Sequence, residues 1–234
     1  MRNEGREVLV EVRDLCFSYR TKSGFFTRYE DPVVKNASFT LERGERLGVV
    51  GRNGEGKSTL LRLLAGIIRP DSGTLRRMSG VTTSLLALGV GFNGFLTGRD
   101  NAILSAVVMG RSEAWARDHL EEIKAFSELG EAFERPVRTY SSGMKSRLGF
   151  STALNMEVDV LLIDEVLAVG DAHFRKKASE ALTHKLGAGQ TVVLVSHSSS
   201  DIKRLCNTAI WLHDGAIFDR GEAGAVVDNY EASL

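Results

Sequence analysis

Cysteine and proline are scarce in this chain, which holds two cysteines and three prolines in 234 residues. Cys16 and Cys206 have no CxxC spacing and no histidine cluster nearby. The sequence therefore gives no sign of a disulfide framework or a zinc-binding motif. We expect both cysteines to be small buried side chains of a protein from a reducing compartment.

A surplus of either charge is also absent. Lysine and arginine together number 30, and aspartate and glutamate together number 30, so the formal net charge is zero. Proteins that bind duplex nucleic acid normally carry a basic surface that neutralises phosphates, so the balance argues against that class. Hydrophobic residues make up 43% of the chain, which is enough for a sizeable core in a single domain.

No stretch is predicted to enter a membrane. Met1–Glu11 is charged throughout and lacks the apolar segment of a secretion signal. The uncharged stretch Met78–Gly98 has 21 residues, which is long enough to span a bilayer. It contains five glycines and six serine, threonine or asparagine residues, and is therefore far too polar for a lipid-exposed helix. We expect a soluble chain whose membrane role would depend on a partner.

The clearest motif present is a glycine-rich loop that matches G-x-x-x-x-G-K-[ST]. Its glycines allow backbone N–H groups to point at phosphates, and the helix that follows directs its positive end at the same anion. Lys57 would contact the β- and γ-phosphates, and Ser58 would offer a hydroxyl to Mg²⁺. An incidental glycine-rich turn would lack the flanking strand and helix. The predicted nucleotide-binding residues of this loop are Gly51, Arg52, Asn53, Gly54, Glu55, Gly56, Lys57, Ser58 and Thr59.

Two carboxylates follow the apolar run Val160–Ile163. In α/β proteins, ligands bind at the C-terminal ends of such strands. Asp164 would hold Mg²⁺ directly or through water, and Glu165 would polarise an attacking water. A strand that simply ends in acidic residues is common, so this prediction depends on the phosphate loop upstream.

Two further segments are predicted to face the nucleotide. Ser141-Ser142-Gly143 stands where a helix is predicted to begin, and helix N-termini favour anions, although in isolation these residues would be an ordinary N-cap. His197 follows the apolar run Val192–Val195. A single histidine is usually structural, but this one ends a predicted central strand, so we predict a contact with the γ-phosphate.

Apolar periodicity predicts an α/β fold. The two apolar runs are predicted central parallel strands, joined by a helix over 174–186. The N-terminal part is predicted to hold an edge strand at 8–12, a short strand that ends at Tyr19 and a loop over 20–31. A helical lobe is predicted over residues 100–155, with Glu113 and Arg117 as an ion pair one turn apart. Asp214-Gly215 is a predicted hairpin turn.

In their order and spacing these motifs resemble the nucleotide-binding subunit of an ABC transporter, over nearly the whole chain. The resemblance implies a P-loop NTPase core of the ABC-ATPase type, with an antiparallel β subdomain and an inserted helical lobe, as a single domain over residues 1–234. It implies ATP and Mg²⁺ as cofactors. The implied partners are a second copy of the subunit and a transmembrane permease, at the cytoplasmic face of the inner membrane, with no nucleic acid.

The resemblance also assigns roles to residues. Tyr19 would stack on adenine, Glu165 would be the catalytic base, and His197 would contribute to catalysis. The signature residues Ser141, Ser142 and Gly143 would act on the ATP held by the other subunit. Asp171 would lie in the loop that links the two sites of the dimer.

Departures from the common family pattern point to one branch. Tyr140–Met144 replaces the usual Leu-Ser-Gly-Gly-Gln signature. With Asp164–Asp171 and Leu96–Asn101, it resembles ATPases that export capsule, O-antigen or teichoic acid polysaccharides. The family glutamine between the phosphate loop and the helical lobe is missing, and Asn93 is its candidate replacement and a candidate Mg²⁺ ligand. Some O-antigen exporters continue into a carbohydrate-binding domain, which we do not expect in a chain that stops at Leu234.

We therefore expect the ATP-hydrolysing subunit of an exporter for a lipid-linked cell-surface polysaccharide. An exporter ATPase for lipids or drugs is the nearest alternative. A soluble ABC-type ATPase acting on nucleic acid or ribosomes would need a long coiled coil or two cassettes, and a kinase would need neither the signature nor His197. The segment Met78–Gly98 is the predicted docking surface for the permease, with packing into the core as the alternative for its large apolar residues.

Overall fold

The computed structural model describes residues 7–23, 27–86, 89–164, 170–196 and 198–234. The chain divides into two compact units, which we call the sheet unit and the helical unit. The sheet unit comprises Met1–Leu85, Val158–Glu165 and Leu186–Leu234, and the helical unit comprises Leu86–Glu157 and Val166–Lys185. No helix among the described residues is both long and apolar enough to cross a bilayer.

Two sheets carry the nine strands of the described residues. The first is antiparallel, in the order β2-β1-β4, and is built from β1 (Val8–Ser23), β2 (Thr27–Glu42) and β4 (Ser72–Arg77). The second has six strands in the order β5-β6-β7-β3-β8-β9. Within it, β6, β7, β3 and β8 run parallel, and β9 pairs antiparallel with β8. Its strands are β3 (Arg46–Val50), β5 (Thr83–Leu86), β6 (Val160–Asp164), β7 (Thr191–Val195), β8 (Thr208–His213) and β9 (Ala216–Glu222).

The predicted α/β core with an antiparallel β subdomain is confirmed. Both apolar runs are central strands, with β7 buried along its whole length and β6 buried up to Ile163. Helix α1 (Lys57–Ala65) packs on this sheet through buried leucines. Each such leucine contributes about 1.5–3 kcal/mol to stability when it leaves water. The helix α1 is thereby fixed relative to β3, and the loop between them is held at both ends.

β1 corrects the prediction for the N-terminal part. We predicted an edge strand at 8–12, a separate short strand and a loop over 20–31. Instead β1 is one long strand at the centre of its sheet, paired with β2 on one side and β4 on the other. The pairing continues through the predicted loop, where Arg20 Nε donates to Glu30 Oε1 at 2.9 Å. The sequence of this stretch is mostly polar, so it lacks the apolar alternation that marks a strand, and cross-strand charge pairing supports it instead.

The helical unit has a core of its own. It contains α2 (Gly98–Val108), α3 (Glu113–Asp118), α4 (Leu120–Ser127), α5 (Ser142–Leu154) and most of α6 (Ala172–Gly187). Its buried cluster includes Ile123, Phe133 and Leu148. The predicted ion pair is confirmed, with Arg117 Nη2 2.6 Å from Glu113 Oε1.

Two shorter helices, α7 (Ser199–Leu205) and α8 (Ala223–Glu231), complete the sheet unit. The predicted hairpin turn is confirmed, since His213 pairs with Ala216 around two residues with positive φ, Asp214 and Gly215. The expectation of two buried thiols holds only for Cys206. Cys16 is half-buried, and its Sγ donates to Asn36 Oδ1 at 3.0 Å.

Candidate nucleotide-binding site

The phosphate loop lies between the end of β3 and the start of α1, and its glycines are needed at close approaches. A Cβ added to Gly51 would lie 2.5 Å from the carbonyl oxygen of Leu212, and one added to Gly56 would lie 2.5 Å from that of Val33. Both glycines also have positive φ. Any larger residue would therefore push the loop away from β8 or β2.

Lys57 folds back over this loop. Its side chain is buried, and Nζ donates to the carbonyl oxygens of Gly51 at 2.7 Å and Arg52 at 2.9 Å. These contacts hold a positive charge at the rim of a loop whose helix also presents its positive end. The arrangement suits an anion of high charge density such as a triphosphate.

Ser58 and Asp164 bring two oxygen ligands together. The hydroxyl Oγ of Ser58, in the first turn of α1, donates to Oδ1 of Asp164, at the end of β6, at 3.1 Å. Cis ligands of an octahedral ion with bonds of about 2.1 Å lie about 3.0 Å apart, which is close to this separation. These two residues therefore fit Mg²⁺.

A cleft of about 410 Å³ adjoins the loop. It brings together several predicted site residues, and three that the sequence did not indicate, Asp31, Val33 and Arg62. Asp31 is the β2 partner of Tyr19 on β1, so only the strand register reveals that it belongs there. The lining residues are Tyr19, Asp31, Val33, Asn53, Gly54, Gly56, Lys57, Ser58, Thr59 and Arg62.

Tyr19 lines this cleft and has 38% of its surface exposed. Its hydroxyl lies 3.4 Å from Thr59 Oγ1 and accepts a hydrogen bond from Arg62 Nη1 at 3.2 Å. The contact with Thr59 and the neighbouring Arg62 lower the pKa of Tyr19. An anchored, exposed ring of this kind can stack on a flat aromatic group.

The predicted signature residues lie in the helical unit. Ser141 is the N-cap of α5, and its Oγ accepts from the N–H of Met144 at 3.2 Å. Ser142 is the first residue of α5. A Cβ added to Gly143 would make only ordinary van der Waals contact, since its nearest heavy atom, Ser141 Oγ, would be 3.8 Å away. Asp171 caps α6 in the same way, and its hydrogen bond from the N–H of Phe174 lowers the pKa of Asp171.

Asn93 holds a turn together. Its Oδ1 accepts from the N–H of Phe95 at 3.0 Å, and its own N–H donates to Asn101 Oδ1 at 2.7 Å. Asn101 is fully buried, and its Nδ2 donates to the carbonyl oxygens of Asn93, Leu96 and Thr97. The amide oxygen of Asn93 thus already has one donor, and its role as a Mg²⁺ ligand stays a prediction.

The apolar residues of Met78–Gly98 differ in how far their side chains are buried. Leu86 is 1% exposed, and Leu85 and Phe92 are half-buried against the core clusters of the sheet unit and the helical unit. Phe95 is 78% exposed, with Arg138 stacked over its ring, and Leu96 is 36% exposed. The prediction of one docking surface along the whole segment is therefore wrong for Leu86, because that side chain belongs to the core.

Several predicted residues lie outside the described parts of the chain. These are the predicted catalytic pair Glu165 and His197, and Leu88 of the predicted docking segment. Their roles stay predictions. The geometry above consequently concerns nucleotide and metal binding rather than the hydrolytic step.

The sequence profile of the ABC transporter family matches residues 34–168. The chain is 38% identical to an O-antigen export system ATP-binding protein RfbB of Klebsiella pneumoniae, over 95% of this chain and 90% of that protein. It is 40% identical to the teichoic acids export ATP-binding protein TagH of Bacillus anthracis, over 96% of this chain but only 39% of TagH. This chain is 41% identical to the O-antigen export system ATP-binding protein RfbB of Myxococcus xanthus, over 86% of this chain but only 46% of that protein.

The fold matches that of solved cassettes. One is the ATP-binding cassette MJ0796, solved as a dimer in a post-hydrolysis state with ADP and Pi, with a TM-score of 0.75 at 20% identity over 92% of this chain and 99% of that one. The family profile covers more than half of the chain, and the Klebsiella protein matches it almost from end to end. The chain therefore belongs to the ABC transporter family and is one of its ATPases.

Proposed function

We propose that this chain is the ATP-hydrolysing subunit of an exporter that moves a lipid-linked cell-surface polysaccharide across the cytoplasmic membrane. The 3.1 Å contact between Ser58 and Asp164, beside the buried Lys57, is the observation that carries the ATPase part. The polysaccharide part is supported by the similarity to proteins named for O-antigen and teichoic acid export.

Each site residue has its own role in binding or hydrolysing the nucleotide. The loop N–H groups and Lys57 bind the β- and γ-phosphates, and Tyr19 orients the adenine ring. Ser58 and Asp164 hold Mg²⁺, which when bound neutralises developing phosphate charge. Glu165 takes a proton from the attacking water, and His197 contacts the γ-phosphate. Asn93 is a further ligand of the same ion in this proposal.

Paired lysine and glutamate variants test the ATPase. Lys57→Ala should weaken nucleotide binding itself, because Lys57 contacts phosphates in the ground state. Glu165→Gln should keep binding but lower turnover by about 10²–10⁴, the usual effect of losing a general base. Lys176→Ala is the matched control, since Lys176 is exposed on α6. Unchanged ATP affinity in Lys57→Ala, or near-normal turnover in Glu165→Gln, would contradict the assigned roles.

The active form in this proposal is a head-to-tail homodimer. Each site would use Ser141, Ser142 and Gly143 of the opposite subunit, with Asp171 between the two sites. The missing side chain of Gly143 supports this, because without a Cβ a phosphate can approach the backbone more closely. A mixture of Lys57→Ala and Ser141→Arg subunits forms heterodimers with one intact site, so mixing should restore activity that neither variant has alone. Activity strictly proportional to concentration in the monomeric range would refute the shared site.

The permease would dock on the exposed part of Met78–Gly98, at Phe95 and Leu96, and hold the subunit at the cytoplasmic face of the membrane. Phe95→Asp should leave ATP binding intact and weaken copurification with the permease. Phe218→Asp is the control, because Phe218 is another exposed phenylalanine, at 64%, in the sheet unit. Equal copurification of both variants would remove Phe95 from the interface.

The substrate class needs a test in the organism. Deleting the gene should leave a lipid-linked polysaccharide inside the cell and remove it from the surface, and wild-type protein but not Glu165→Gln should restore export. Accumulation of a lipid or drug with normal surface polysaccharide would instead identify the exporter as one of the alternative kinds.

A further inference from the structure

The turn between β8 and β9 brings ligand-forming side chains against the phosphate loop. Among the described residues, Glu55, His213 and Asp214 each offer one ligand atom, and these atoms all lie within 4.8 Å of one another. Glu55 Oε1 is 3.7 Å from His213 Nδ1, and Asp214 Oδ2 is 3.9 Å from the other ring nitrogen, Nε2, so a single ion would use only one of these two nitrogens. The ATPase mechanism uses neither His213 nor Asp214.

The backbones that carry these side chains are held firmly. The phosphate loop meets β8 where Gly51 approaches the carbonyl oxygen of Leu212. The turn is anchored on its other side, because the N–H of Lys35 donates to the carbonyl oxygen of Gly215 at 2.8 Å. Because both backbones are held, the distances between the ligand atoms can change only by rotation of the side chains.

Two of the three side chains are exposed enough to rotate in this way. The His213 side chain is 48% exposed and that of Asp214 is 84% exposed, while that of Glu55 is 13% exposed and fixes one corner. A tetrahedral ion with bonds of about 2.0–2.1 Å needs ligand atoms about 3.4 Å apart. The ligand atoms, which lie within 4.8 Å of one another, would thus have to approach by up to about 1.4 Å to bind one.

We propose that Glu55, His213 and Asp214 form a binding site for a divalent transition metal of the zinc class, separate from the Mg²⁺ site at Ser58. An imidazole with two carboxylates suits zinc or cobalt, whereas Mg²⁺ prefers oxygen ligands alone. Two carboxylates and a neutral imidazole also balance the charge of a divalent ion, and water completes the four-coordinate shell.

Because Glu55 belongs to the phosphate loop, an ion bound at this site would act on that loop. Glu55 lies inside the phosphate loop, between Gly54 and Gly56, whereas His213 is the last residue of β8 and Asp214 is the first residue of the turn that follows. A bound ion ties the loop to the turn and restrains the opening of the loop. By linkage, it also changes nucleotide affinity in the same ratio as nucleotide changes metal affinity. This last step rests on the proposed ATPase function, but the site itself does not.

Cobalt binding without nucleotide tests the site. We expect one Co²⁺ per chain, seen as the visible absorption of a four-coordinate ion and displaced by Zn²⁺. We also expect slower hydrogen exchange at the amides of Glu55 and Gly56 with Zn²⁺ than without it. His213→Ala should weaken Co²⁺ binding at least about tenfold, as loss of a metal-site residue commonly does.

Two further variants make the outcome decisive. His184→Ala, which removes another exposed histidine, should bind Co²⁺ as the wild type does. Asp214→Asn keeps the size of the side chain in the turn and should weaken binding as His213→Ala does, with circular dichroism checking that both are folded. Absence of bound Co²⁺ in the wild type, or equal affinity in folded His213→Ala, overturns the proposal. Since no nucleotide is present, failure of the ATPase proposal would leave these results untouched.

Discussion

Gly98 and Tyr140 form a contact whose energy can be predicted in detail. Gly98 is the first residue of α2, and Tyr140 directly precedes the Ser141 N-cap of α5. Tyr140 is 6% exposed, and its hydroxyl donates to the carbonyl oxygen of Ala132 at 2.6 Å. A Cβ at Gly98 would lie 2.2 Å from that hydroxyl and 2.9 Å from the carbonyl oxygen of Phe133.

Gly98→Ala should therefore destabilise the helical unit. The tyrosine ring must move by about an ångström, and overpacking of this kind costs about 1–3 kcal/mol. If the hydroxyl also leaves Ala132, the unpaired carbonyl costs about 1–3 kcal/mol more. Alanine gains at most about 1 kcal/mol over glycine from helix propensity. We expect a net loss of about 2–4 kcal/mol in the free energy of unfolding.

A double-mutant cycle separates these contributions. Tyr140→Phe alone should cost about 1–2 kcal/mol, because it removes the hydrogen bond but leaves the ring in place. It also removes the atom nearest to the new methyl group, so the double variant should be more stable than the sum of the single effects by about 1–2 kcal/mol. The measurement is urea unfolding followed by far-UV circular dichroism. Gly187→Ala is the control, since an added Cβ there meets no atom within 4 Å. Wild-type stability of Gly98→Ala, or strict additivity in the cycle, would refute the reasoning.

Two further predictions concern titratable groups. Burial raises the pKa of Cys206 to about 12, so at pH 8 only the half-buried Cys16 should react quickly with a thiol reagent in the native protein. Two fast thiols would show that Cys206 is accessible. The hydrogen bonds from Arg99 lower the pKa of Glu134. Its contribution to stability is therefore present above the pKa of the unfolded state and is lost as the pH falls through the lower folded value. The free energy of unfolding, measured in urea, should fall less for Glu134→Gln than for the wild type as the pH is lowered. An equal fall in both proteins would contradict the pairing.

Local sequence signals predicted the core of the sheet unit. The phosphate loop, the two buried strands and the Asp214-Gly215 turn each depend on residues close together in sequence, where periodicity and turn chemistry act directly. The apolar face of α6 followed in the same way, since Phe174, Ala178 and Leu182 are all buried. These predictions succeeded because local and tertiary preferences agree at those places.

Tertiary pairing decided what the sequence did not reveal. Asp31 enters the nucleotide cleft only because β2 places it opposite Tyr19, and the polar end of β1 offered no apolar period from which to infer that strand. Leu86 and Phe95 are both large apolar residues in one uncharged segment, yet one is buried and the other exposed. Which of them reaches the core depends on the faces of β5 and of the turn before α2, and no spacing in the sequence specifies those faces.

The exposed ring of Phe95 and the cap of α5 belong to one hydrogen-bonded piece of the helical unit. The N–H of Arg138 donates to the carbonyl oxygen of Gly94, that of Val137 donates to Leu96, and that of Gly98 donates to Arg135. Three backbone bonds and the Tyr140 contact leave this piece few ways to deform internally. We therefore expect a displacement of Phe95 to be transmitted to the N-terminus of α5. The Gly98→Ala cycle measures how tightly this piece is packed, and the Phe95→Asp variant tests whether the permease uses it.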